Sequence, residues 1–225
     1  MSVFAPILLS LKVAVVATVI TFLAGLGLAR IFAARRVPLR SVWEGLLLLP
    51  LVFPPTITGY LLLVVLGRRG LLGGLLAHAG LQVVFTWTAA VIASFIVSLP
   101  LMYQNCKAAL RSVEPQYAGA ARTLGVSEGR IFRRITLPIA APGILAGTAL
   151  SFARALGEFG ATLMTAGNIP GRTQTIPLAI YSAVEGGRTR DANILLGVTV
   201  VISFVLVAVV GWAERRMFFP GRDSR

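Results

Sequence analysis

Five stretches of this chain run without Asp, Glu, Lys or Arg: residues 13–29, 45–67, 70–106, 135–153 and 192–213. A helix needs about 20 consecutive apolar residues to cross the hydrocarbon core of a bilayer, and each stretch can supply them. The third is too long for one crossing, and its Gly70, Gly73, Gly74 and Gly80 predict a loop or interfacial piece before a helix from about 83 to 104. The pattern predicts an all-α polytopic membrane protein with spans at about 10–30, 45–67, 83–105, 138–157 and 192–213, in a single transmembrane domain over 1–225. The first run exceeds the apolar core of a signal peptide and is followed by Arg30, Arg35 and Arg36, so it is expected to be retained.

Residues 158–191 fit this scheme less simply. Two apolar runs of about a dozen residues flank a polar turn, Asn168 to Thr175, and neither run spans a bilayer alone. One reading is a re-entrant or bundle-buried hairpin, because irregular backbone at membrane depth survives where protein surrounds it. The other is an external loop.

Composition sharpens the class. Hydrophobic side chains make up 56% of the 225 residues and charged ones 13%, about half the share in ordinary soluble domains. Disorder is excluded too, since it needs low hydrophobicity. One cysteine, Cys106, and one histidine, His78, leave no Cys/His cluster for a metal, and both residues read as incidental. The formal charge of +13 would point to nucleic acid in a soluble protein; in an apolar chain it reads as cytoplasmic loops. Alternate loops hold Arg30, Arg35, Arg36 and Arg40, then Lys107, Arg111, Arg122, Arg130, Arg133 and Arg134, then Arg215, Arg216, Arg222 and Arg225. The opposite loops hold Arg68, Arg69, Arg172, Arg188 and Arg190. This bias predicts an outside amino terminus and a cytoplasmic carboxyl terminus, with Lys12 and Arg154 left over.

The cytoplasmic loop at about 114–137 is the most informative segment. Pro115 near a helix start, Gly125 at its end and Ser127 as a cap predict helix, glycine turn, helix. Leu124, Val126, Ile131 and Phe132 form an expected apolar plug, and Leu137-Pro138 is expected to end the element before the membrane. Its chemistry fits helices lying on the membrane surface as well as a docking element. The placing of Ala120, Ala121, Gly125, Ile135, Leu137 and Pro138 resembles the cytoplasmic loop of ABC-importer permeases: Glu-Ala-Ala, three residues, Gly, nine residues, Ile, one residue, Leu-Pro. Gly119, or Ala118 in the shifted register, stands where that pattern has glutamate. The resemblance implies coupling helices, from about Ala120 through Arg122 to Phe132, seated in a groove of an ATP-hydrolysing subunit. Neither lysine lies in a Gly-x-x-x-x-Gly-Lys-Ser/Thr run, so ATP and Mg are expected in a partner, with no cofactor on this chain and no catalytic residue of its own.

Two spans carry further chemistry. In the second, Pro50, Pro54 and Pro55 precede Thr56, Thr58 and Gly59, so the helix must bend or break, as helices along transporter substrate routes often do. In the fourth, Gly143, Gly147, Ser151 and Ala155 share one face and predict close helix packing, within the subunit or against a symmetry mate. Arg154 and Glu158, four apart, read as a mutually compensating clamp or as an anion contact.

The run Arg154-Ala155-Leu156-Gly157-Glu158-Phe159-Gly160-Ala161-Thr162, with Asn168 to Tyr181, Leu49 to Thr56 and Arg122-Thr123-Leu124-Gly125, resembles the molybdate-importer permease family from about Arg30 onward. Sulfate and thiosulfate permeases share the Gly-Glu-Phe-Gly portion, and a tungstate permease is a further alternative. The resemblance implies a homodimer in a bacterial or archaeal cytoplasmic membrane, two ATPase subunits and an extracytoplasmic oxyanion-binding protein. Pro54, Thr56, Thr58, Arg154, Glu158, Thr162, Asn168 and Gln174 are the expected path residues, mostly neutral donors that hold a dianion without trapping it. An ATP-independent channel or a membrane-embedded enzyme is the competing class.

Overall fold

The computed structural model describes residues 3–34 and 37–218. Arg35, Arg36, Arg222, Arg225 and the two ends of the expected 1–225 domain lie outside the described residues. Within them all regular structure is helical: α1 (Phe4–Ala34), α2 (Arg40–Val52), α3 (Pro55–Leu66), α4 (Leu71–His78), α5 (Trp87–Arg111), α6 (Pro115–Thr123), α7 (Glu128–Ile131), a π-helical turn (Phe132–Thr136), α8 (Leu137–Leu156), α9 (Gly160–Ala166), α10 (Ile176–Glu185) and α11 (Thr189–Phe218).

Helix α5 is the axis of the bundle, with α1 along one side and α8 along another. It can be buried on several faces because it presents small residues, Ala89, Ala90, Ala93, Ser94 and Ser98, before Met102, Tyr103 and Cys106, all at most 1% exposed. Glycines set the approach of its neighbours. A Cβ on Gly25 of α1 would lie 2.7 Å from Met102 Cγ, and one on Gly147 of α8 would lie 2.5 Å from Asn105 Cβ. Gly143 likewise faces Ala109, so the small-residue ridge of the fourth span packs within the chain, on α5. By contrast α11 leaves Val201, Phe204, Val205 and Val207 exposed, a surface that suits lipid.

Helices within 4–33, 87–111, 128–156 and 189–211 are long and apolar enough to cross a membrane. The second expected span is broken: the chain bends by 115° between α2 and α3. Pro54 and Pro55 dictate the place. The residue before a proline is pushed out of helical geometry, and Phe53 and Pro54 both turn extended, with ψ of 138° and 137°. Pro50 stays inside α2.

Two expectations need correction. The third span starts at Trp87 and not at 83, because Phe85 takes a left-handed φ of 63° and donates its N–H to Thr165 O at 2.9 Å. Pro138 does not end the element before the membrane. Helix runs on from Glu128 to Leu156, and the five residues before Leu137 widen into a π turn in which Leu137 N–H bonds Phe132 O. The ring of Pro138 would crowd the carbonyl four residues back in an α-helix, and the wider turn accommodates it.

The segment after α8 is a bundle-buried hairpin. Helix α9 packs on α3 and α5, α10 packs on α11, and the turn between them is buried at Thr173, Gln174 and Thr175. Most of the turn's polar groups bond within it: Thr173 Oγ1 accepts from Ile169 N–H and donates to Gly167 O, both at 3.1 Å, and Gln174 Nε2 donates to Asn168 Oδ1 at 2.9 Å, while Thr175 Oγ1 is buried without a partner. Ser10 Oγ of α1 takes the N–H of Ile176 at 2.7 Å.

Candidate coupling surface and translocation path

The loop between α5 and α8 is built around one tight turn. Pro115 opens α6 at its first helical position. At the other end Gly125, φ 73°, donates to Arg122 O at 2.9 Å while Val126 N–H reaches back to Ala121 O at 3.1 Å. This pair of bonds closes a helix whose next residue is left-handed, the conformation glycine adopts without strain. Ser127 stands before α7, but its side chain makes no capping bond. Arg122 and Glu128 bridge the turn instead, with Nε–Oε1 at 2.5 Å and Nη2–Oε2 at 3.1 Å. That hydrogen bond, with the opposite charge, pushes the Arg122 guanidinium above its ordinary pKa.

The expected four-residue plug divides. Leu124 is 82% exposed at the tip, whereas Ile131 is 2% exposed and anchors the loop from beneath, with Ala121. Val126 is half-buried, and Phe132 lies under the guanidinium of Arg30, 4.1 Å from the ring centroid. Ala120, Arg122 and Gly125 are exposed beside Leu124; Leu137 is half-buried and Pro138 exposed where the loop joins α8. A Cβ on Gly119 would meet nothing within 4 Å, so packing within the chain does not exclude a glutamate there.

A hub not foreseen from sequence ties α2 to α5. Glu44 of α2 accepts from Lys107 Nζ at 2.8 Å, Tyr103 Oη at 2.6 Å and Arg40 Nε at 3.0 Å. The signal was present: Glu44 is the only acidic residue before Glu114. With Arg30 over Phe132, the hub brings together cations assigned to separate loops of one membrane side. The two leftover cations also find partners, Lys12 over the Trp87 ring at 3.8 Å and Arg154 on Glu158.

The path residues fall into two groups. In the first, the start of α3 meets the start of α9: a Cβ on Gly160 would lie 2.9 Å from Pro55 Cβ and 3.3 Å from Thr56 N, and one on Gly59 only 2.7 Å from Ala161 Cα. Pro54 and Thr56 are exposed at this junction, while Thr58 and Thr162 are buried near it. Thr58 Oγ1 is buried without a hydrogen-bond partner. Glu158 stands at the same junction, its side chain 2% exposed. Its Oε1 accepts the N–H of Ala161 at 2.8 Å, capping α9, and Arg154 Nη1 lies 2.6 Å from its Oε2. That geometry is a clamp between α8 and α9. In the second group, Asn168 and Gln174 bond each other, Asn168 Nδ2 reaches Ser182 Oγ at 2.5 Å, and Gln174 faces a small cavity with Val3, Pro6 and Asp191. Cys106 is buried in the core, and His78 Nδ1 lies 2.7 Å from Gly74 O.

Residues 22–219 match the family described as binding-protein-dependent transport system inner membrane component. The chain is 44% identical to YvgM of Bacillus subtilis (strain 168), over 91% of this chain and 90% of that one. It is 40% identical to ModB of Escherichia coli (strain K12), a molybdenum transport system permease protein, over 93% and 92% of the two chains. Among solved structures, a bacterial ABC transporter that imports the acidic polysaccharide alginate superposes with a TM-score of 0.78, covering 97% of this chain and 81% of that one at 18% identity. The MetNI methionine ABC transporter in an inward-facing conformation gives 0.71, covering 96% and 94% at 15% identity. At such identities these two likenesses speak for the fold alone.

Proposed function

The chain belongs to the binding-protein-dependent transport system inner membrane component family, and from that premise we propose that it imports molybdate as the permease of an ATP-driven transporter. It is a multi-pass membrane permease subunit and not an enzyme. The molybdenum permeases that match it over nine-tenths of its length support the cargo. The observation that carries the coupling role is the exposed tip, Leu124 and Gly125, spanned by the Arg122–Glu128 bridge and seated on buried Ala121 and Ile131.

In this reading two copies of the chain form the pathway, two ATPase subunits bind beneath it, and an extracytoplasmic protein delivers the oxyanion. The amino terminus lies outside and the carboxyl terminus in the cytoplasm. ATP binding draws the ATPases together, the tips move with them, and the dimer opens outward; hydrolysis resets it. Thr56, Thr58 and Thr162, at the junction of the broken span with α9, offer neutral hydroxyls to a dianion, which no charged ring need hold. Arg154 and Glu158 shape that junction by clamping it.

Uptake of labelled molybdate into vesicles containing permease, ATPase and binding protein tests this reading. Accumulation should require ATP and be outcompeted by unlabelled molybdate far better than by sulfate. Accumulation without ATP contradicts the coupling role, and stronger competition by sulfate or tungstate contradicts the cargo.

A further inference from the structure

Arg68 and Arg69 stand at the mouth of a cavity of about 970 Å3 for which the transport reading has no use. Its walls are the end of α3 with Leu63 and Leu66, one face of α4 with Leu76, and the segment before α5 with Val83 and Phe85. One side of the mouth is pinned, since Arg68 Nη2 donates to Gln82 Oε1 at 3.0 Å and Gln82 Nε2 donates to Val84 O at 3.3 Å. Arg69 is exposed and has no side-chain partner among the described residues. The cavity thus pairs apolar walls with two adjacent cations.

Helix α4 fixes the surroundings. It is apolar up to its last residue, His78, and lies against the end of α3, with Leu71 85% and Leu75 70% exposed. Such a helix directly after two arginines, at the end of a membrane-depth segment, belongs at the boundary between headgroups and hydrocarbon, where its leucines face acyl chains. We propose that the cavity holds an anionic phospholipid, with its phosphate on Arg68 and Arg69 and an acyl chain against Leu63, Leu66 and Leu76. A free oxyanion would satisfy the arginines and leave the leucines bare. A purely apolar ligand would do the reverse, so the lining calls for an amphiphile with a negative head.

The occupant bears on the transport machinery through Phe85. This residue donates its N–H to Thr165 O of α9, and its ring edge lies 3.1 Å from where a Cβ on Gly167 would sit. A lipid filling the cavity braces the 81–85 segment against the buried hairpin. The proposal rests on the membrane reading alone and is independent of cargo.

The test is native mass spectrometry of purified permease taken from nanodiscs of equimolar phosphatidylglycerol and phosphatidylcholine, without cargo or ATP. At about one kcal/mol of attraction per cation near a headgroup, the two arginines give the lipid they hold about a 30-fold preference for phosphatidylglycerol. In R68Q/R69Q that preference should vanish, and in R69Q, which leaves the Arg68–Gln82 bond in place, it should fall to about 5-fold. Ala77 lines the cavity, and A77W, which places an indole in it while keeping both cations, should lower the amount of bound lipid. The proposal is overturned by wild type without headgroup preference, by R68Q/R69Q that keeps it, or by A77W that retains as much lipid. It is equally overturned if no lipid is held and an extracytoplasmic binding protein associates through the two arginines.

Discussion

Lys107 of α5 donates to Glu44 of α2 at 2.8 Å, and this contact holds a helix that buries none of its own residues against the bundle axis. Hydrogen bonds to charged groups are each worth about 1.5–3 kcal/mol, so E44Q should cost about 2 kcal/mol and K107A somewhat less. Because the two share one contact, E44Q/K107A should cost clearly less than the sum. Unfolding in mixed detergent micelles measures all three, and strict additivity would remove the hub as the tie between α2 and α5.

Arg154 and Glu158 make the opposite kind of pair, with a carboxylate almost fully buried and its partner at 28% exposure. Removing one member leaves a charge without compensation at about 3–5 kcal/mol, so R154A and E158A should each lower stability strongly and R154A/E158A should recover part of the loss. A residue that contacted the anion would behave differently: R154A would then raise the KM for uptake at unchanged stability.

The crossing of α3 and α9 has no room for a methyl group at Gly59. G59A forces backbone apart at Ala161, so a loss of about 2 kcal/mol or more, with uptake abolished, is expected. G197A is the matched control, since nothing lies within 4 Å of its Cβ, and there alanine should stabilise the helix by about 0.5–1 kcal/mol. Thermal unfolding and uptake on both variants check the contrast.

At the loop tip, shape and contact can be separated. G125A meets no atoms but must hold φ 73°, which costs about 1 kcal/mol and loosens the turn. L124D leaves the fold intact, because that side chain is 82% exposed, and should weaken ATPase co-purification about 30-fold or more if Leu124 fills a pocket in the partner. Co-purification equal to wild type would move the docking contact elsewhere.

Much of the architecture was legible in the chain because the signals were local and steric. Charge-free runs marked the spans, Pro54 and Pro55 marked the break, and Gly125 marked the turn. The polar turn at 168–175 was readable as buried or external; its burial depends on Thr173 and Gln174 closing their own hydrogen bonds, which spacing does not reveal. The π turn before Pro138 was hidden, since a proline after an apolar residue announces a helix end unless the preceding residues can widen. Glu44 was missed for a different reason. Two of its three partners lie 59 and 63 positions away, and only the packing of α2 on α5 brings them to it. Among the site residues, the tip was recognisable from its motif, whereas the separation of Thr58 and Thr162 from Asn168 and Gln174 follows from the hairpin's two faces packing on different helices.

The uninterrupted helix from Glu128 to Leu156 has a mechanical corollary. At about 1.5 Å per residue it runs some 43 Å, through the π turn and past Pro142, with the tip's Arg122–Glu128 bridge at one end and Arg154, gripping Glu158, at the other. Under the proposed coupling role, a push on the tip would reach α9 as leverage, with the close crossings at Gly143 and Gly147 as the fulcrum.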